Sequence, residues 1–271
     1  MFSASVQPSI VSLFSSTGSE PLSLFSTHCD VSLPSDSFIC LLNDATSRPT
    51  PPEPQKLIDL KPEVEASLPD YALAQSVLHI QSPTVRTTYI RCPPVSVRTS
   101  DGPAASRELA QGPSRHLGLK HPWVHLQVRN QHREWAFEVG IVDQAGREGI
   151  VRCATFQKEP KLKLGNRPLL LLPLSFPPPS SRPLTSWCTI AINLPSLLPH
   201  FSSASLARND DESRTAGSSS FGTHAVRVPS GTYSHVSYVK VYANCRLRRI
   251  WFSEGGPQQR LPWEFQLYAA E

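Results

Sequence analysis

Residues 233–254, YSHVSYVKVYANCRLRRIWFSE, carry the pattern that decides the fold. Side chains alternate across an extended chain, so residues two apart share a face. Val239, Val241, Ala243, Cys245 and Leu247 then form an apolar face, and Lys240, Tyr242, Asn244, Arg246 and Arg248 a polar one. Burial of the first set and exposure of Lys240, Arg246 and Arg248 follow from that period of two. In the same register Arg249 points inward with Leu247 and Trp251.

The same grammar extends outward from this block. WVHLQV (123–128) and EWAFEVGIV (134–142) alternate, DQAG (143–146) reads as a turn, and GIVRCATF (149–156) reads as the returning strand. SVLHI (76–80) and RTTYIRC (86–92) flank a short connection and read as a hairpin, while LLLLPLSF (169–176) and WCTIAINL (187–194) are apolar strands. LPWEFQLY (261–268) reads as a short closing strand. Phe14, Leu22, Leu24 and Phe25 around Gly18 offer anchors for an N-terminal unit packed on the rest. The 27 prolines oppose long helices, because proline removes a backbone donor and clashes inside a helix. The predicted class is all-β, a jelly-roll-like β-sandwich.

Three stretches interrupt the strands, near residues 43–70, 95–118 and 199–231. The first is proline-rich and acidic and the last is serine-rich, so neither supplies apolar periodicity. They are expected to be long disordered loop insertions in one domain spanning residues 1–271. No basic start precedes an N-terminal apolar stretch, since the first Lys or Arg is Arg48, and the longest apolar run breaks at Pro173. A soluble protein without a secretory signal or membrane span is the expectation.

The sequence blocks SLFSSTGSEPLSLF, RTTYIRCP, WAFEV, SWCTIAINL, VYANCRLRRIWFSE and LPWEFQLY, in this order, resemble the cilia- and flagella-associated protein 20 family. That resemblance implies a jelly-roll-like sandwich lying between the A- and B-tubules of doublet microtubules, with tubulin and other inner-junction proteins as partners. It implies a place in the cytoplasm, on the cytoskeleton of the axoneme or basal body, with the nucleus as a further setting. The three insertions depart from the compact family pattern.

The chain holds 26 Lys and Arg against 22 Asp and Glu, a mild excess, so only local clustering matters. Lys240, Asn244, Arg246, Arg248 and Arg249 form the one dense basic stretch and are the candidate partner-binding residues. Exposed guanidinium groups would pair with carboxylates of an acidic protein surface. The same face could meet RNA phosphates in a nuclear adaptor. The competing structural reading pairs these arginines with acids of the same domain, such as Glu254 or Glu264, or spreads their stems over apolar surface.

No catalytic residue, cofactor or metal is expected. GxSxG, paired CxxC and Gly-rich phosphate motifs are missing from the sequence, and the serines cluster in low-complexity stretches. His121 and His125 have the four-residue spacing of helical metal ligands, yet Pro122 and the alternating run make them exposed strand histidines in this reading. The six cysteines read as buried free thiols and the five tryptophans as core residues.

Overall fold

A computed structural model describes residues 6–49, 75–95, 116–177, 186–207 and 228–267. In chain order the strands are β1 (Ile10–Ser15), β2 (Ser26–His28), β3 (Phe38–Asn43), β4 (Ser76–Gln81), β5 (Tyr89–Cys92), β6 (Trp123–Asn130) and β7 (Ala136–Asp143). There follow β8 (Glu148–Ala154), β9 (Lys161–Lys163), β10 (Leu169–Pro173), β11 (Trp187–Asn193), β12 (Tyr233–Tyr242) and β13 (Cys245–Ser253). The first sheet runs β11-β6-β13-β4-β3, with β1 also on β13; the second runs β2-β5-β12-β7-β8-β10-β9. The all-β sandwich is therefore as the sequence periodicity predicts.

Between the sheets lies one core. Leu78, Ile80, Leu126, Val128, Leu247, Ile250 and Phe252 enter it from the first sheet, and Ile90, Phe137, Val139, Ile141, Val151, Val239 and Val241 from the second. Phe14 packs edge-on against Phe25 at 5.7 Å, so the N-terminal unit closes onto this core as expected. The Asp143 turn joins β7 to β8 as an antiparallel pair, also as expected.

Three local expectations are corrected. The 233–254 block is two strands, because β12 belongs to the second sheet and β13 to the first. The 76–80 and 86–92 segments do not form a hairpin; β4 pairs with β3 and β13, whereas β5 pairs with β2 and β12. The LPWEFQLY stretch holds a 3₁₀ turn, Trp263–Phe265, and no strand among its described residues.

Asn244 explains how the crossovers stay together. Its Oδ1 accepts from the Ser82 amide at 2.8 Å, just after β4, and its Nδ2 donates to the Glu134 carbonyl at 3.2 Å, just before β7. Next to it, the Ala243 amide donates to the Thr88 carbonyl at 3.0 Å, just before β5. Three sheet-to-sheet crossings, β4 to β5, β6 to β7 and β12 to β13, are thus tied at one corner. A buried side-chain amide suits the task, since the crossing backbone has left its ladder partners and needs others.

Most of the three insertions (50–74, 96–115 and 208–227) lies outside the described residues. Their described flanks are not peripheral, which corrects the expectation that the whole stretches stand outside the core. Asp44, Leu117 and Phe201 are each buried, and Leu206 and Val228 pack against the core.

Candidate partner-binding site

The arginines of β13 sit on the outer face of the first sheet, yet that face is covered. Arg246, Arg248 and Arg249 are 8%, 5% and 8% exposed, which overturns the expected exposure of Arg246 and Arg248. Arg246 donates from Nη1 to the Asp44 carboxylate at 2.6 Å and to its carbonyl at 2.8 Å, and from Nη2 to Ser47 Oγ at 2.6 Å. Arg248 donates to Gln127 Oε1 at 2.6 Å, to Gln75 Oε1 at 3.2 Å and to the Glu264 carbonyl at 3.1 Å. Arg249 stacks over the Phe265 ring at 4.5 Å. Burial lowers the basicity of Arg248 and Arg249, and Glu264 partly offsets this for Arg249.

Arg249 does not point inward, and a bulge is the reason. Leu247 is opposite Val128 and Arg249 is opposite Gln127, so Arg248 is an extra residue against the partner strand. One inserted residue reverses the alternation beyond it. Ile250 and Phe252 consequently enter the core, while Trp251 stacks on His125 at 4.7 Å outside it.

Lys240 lies on the outer face of the other sheet, so the five candidate residues do not form one platform. Asn244 is the buried corner residue, and Lys240 lines a groove of about 370 Å³ that the other four do not line. The groove is built by β5, β7, β12 and the first residue of β8, with nearby loops. Register sets Arg91, Lys240, Glu138 and Arg152 in a row across four strands. Glu138 accepts from Arg152 at 2.6 Å, from Tyr242 Oη at 2.9 Å and from Tyr238 Oη at 3.1 Å. Lys240 Nζ stands 3.5 Å from the Tyr89 ring centroid and 4.5 Å from that of Tyr242. Burial lowers its basicity, opposed by the attraction of Glu138. Arg91 covers the Tyr238 ring at 4.5 Å. Sequence reasoning missed Arg91, Tyr89, Tyr238 and Glu138, because their meeting depends on which strands become neighbours. The polar Glu138 inside the apolar WAFEV run was the one available signal.

His121 and His125 are buried, not exposed as expected. His121 Nε2 is 2.6 Å from the Pro8 carbonyl and His125 Nε2 is 2.8 Å from Ser253 Oγ. Among the described residues no cluster of three His, Cys, Asp or Glu side chains could hold a metal ion. Likewise, no described helix is long and apolar enough to cross a membrane. Trp135, Trp187 and Trp251 are buried as expected, whereas Trp263 is 74% exposed.

Comparison with known proteins places this geometry in a family. The model of the CFA20 domain matches residues 35–207, more than half of the chain. Cilia- and flagella-associated protein 20 of Chlamydomonas reinhardtii is 27% identical over 201 residues, covering 73% of this chain and 77% of that protein. The proteins of the same name from Caenorhabditis elegans and Paramecium tetraurelia are 23% and 24% identical. The first alignment covers 99% of this chain and 91% of the relative, the second 73% and 76%.

Proposed function

The chain belongs to the CFA20 domain family, and on that premise we propose that it is a non-enzymatic structural module of cilia or flagella. It docks on the microtubule doublet, with tubulin and inner-junction proteins as partners. The observation that carries this reading is the reach of the similarity, which extends over 99% of the chain to a relative named for cilia and flagella. Both sheets, and not one shared motif, are thereby included.

The chemistry of the described residues fits a binding role. The Cys92 and Cys153 thiols are pushed up to about 12 by burial, so neither supplies a thiolate nucleophile near neutral pH. An RNA adaptor working through the β13 arginines has no support in the geometry, since those arginines are buried and engaged within the fold. Of the five candidate residues, Lys240 keeps a partner-binding role on the second sheet, while Asn244 holds the corner between the sheets and Arg246, Arg248 and Arg249 brace the first sheet.

Co-sedimentation with polymerised tubulin tests the reading. The purified chain is expected to pellet with microtubules at low salt and less at high salt, because exposed charge contacts are screened. A chain that stays in the supernatant at every salt concentration overturns microtubule docking.

A further inference from the structure

The register of the second sheet sets two like charges side by side. Arg91 of β5 is the cross-strand partner of Lys240 of β12. Like charges directly opposite one another destabilise a sheet, and Glu138, the partner of Lys240 on its other side, offsets this in part while leaving Arg91 without a carboxylate among the described residues. Their polar contacts within the described residues are few. Arg91 donates from Nη1 to the Pro93 carbonyl at 2.8 Å, and Lys240 rests on aromatic rings.

The acids that share the groove are already engaged. Glu138 receives Arg152, Tyr238 and Tyr242. Glu148 accepts from Ser237 Oγ at 2.5 Å and pairs with Arg167 at 3.4 Å. Among the described residues, two cations with donors to spare therefore border a concavity that is rimmed by the Tyr89 and Tyr238 rings.

We infer that Arg91 and Lys240 form a subsite for a carboxylate carried by an acidic segment of a partner protein. The guanidinium fork and the ammonium supply charge-assisted donors to the two oxygens, and the tyrosine rings cover the methylenes behind them. A singly charged carboxylate suits the groove better than a phosphate dianion, because Glu138 and Glu148 line the same space and repel added negative charge. This subsite rests on the binding-module reading above and names the chemistry of the partner.

Fluorescence anisotropy of the full chain with a labelled peptide of alternating Glu and Gly tests it. Wild type is expected to bind this peptide and not its Gln and Gly counterpart. Lys240→Met and Arg91→Gln should each weaken binding by about tenfold, the loss of one charge-assisted contact. Their melting temperatures should change little, since relief of the like-charge pair is set against the lost attraction of Lys240 to Glu138 and the lost contact of Arg91 with the Tyr238 ring. Lys240→Arg should retain binding, as should Arg260→Gln, which removes an exposed charge elsewhere. Equal binding by wild type and Lys240→Met, equal binding of the Gln peptide, or displacement by inorganic phosphate but not by acetate overturns the subsite. Failure of the Glu peptide in a chain that still pellets with microtubules removes the subsite alone. Peptide binding that follows the expected pattern in a chain that never pellets supports the subsite and removes the microtubule reading.

Discussion

Asp44 gathers three elements at one carboxylate. Arg246 reaches it at 2.6 Å, Arg129 at 3.0 Å and the Trp187 indole at 2.8 Å, with the carboxylate itself fully buried. Removing Arg246 leaves Arg129 as the one arginine on this buried carboxylate and deletes the charge-assisted bonds of Arg246 to Asp44 and Ser47, each worth about 1.5–3 kcal/mol. Arg246→Ala is therefore expected to lose about 3 kcal/mol of stability in a urea melt. An Ala substitution that melts like wild type would mean that Asp44 does not depend on Arg246. The double Ala replacement of Arg246 and Arg248, harmless on an exposed strand, should lose more. His125 sets a second residue-level expectation. Burial lowers its pKa from 6.5 to about 4. The unfolded chain then binds the proton first, so this contribution is full above about pH 6.5 and shrinks as pH falls toward 4. The loss is at most about 3 kcal/mol from this group. His125→Gln should flatten the stability profile across that window; an unchanged slope would assign the acid sensitivity to other groups.

The C-terminal 3₁₀ turn acts as a cover for β13. Phe265 is 5% exposed, meets the Trp251 ring edge-on at 5.3 Å and lies beneath Arg249. Its carbonyl also accepts from Gln127 at 2.5 Å. Phe265→Ala should cost about 3 kcal/mol through the cavity it leaves, read as a lower urea midpoint, and a shift within error would show the turn to be dispensable. By contrast, replacing 208–227 with a Gly-Ser linker of equal length should leave the midpoint unchanged, since that stretch lacks apolar periodicity. A marked drop would place core residues in it. Strand existence was legible because Val239, Val241, Cys245 and Leu247 obey a period of two and all prove buried. Engagement of the arginines within the domain, with Glu264 among the partners, was legible only as the competing reading, for two physical reasons. The bulge at Arg248 breaks the period without a Gly or Pro to announce it, and the cover comes from Asp44, remote in sequence from β13, and from Phe265 in a stretch that reads as a strand.

At the scale of the molecule, chain crossings decide what the sequence pattern could not. Two of the apparent units in the sequence, the 76–92 hairpin and the 233–254 strand, divide between the sheets at the corner held by Asn244. That division separates Lys240 from the arginines and brings it beside Arg91 instead. Local periodicity thus revealed the class of fold, whereas the groove required the strand order. The resulting sandwich buries its β13 cations for support and leaves the β5–β12 pair at a groove. Relatives named for cilia and flagella lead to the central claim proposed above, that this chain works as a structural part of the axoneme. Expressing a fluorescently tagged full chain in ciliated cells, then extracting the membrane with detergent, measures this most directly. Signal retained along the axoneme is the predicted result, and a chain confined to the cell body or nucleus, with axonemes unlabelled, would contradict it.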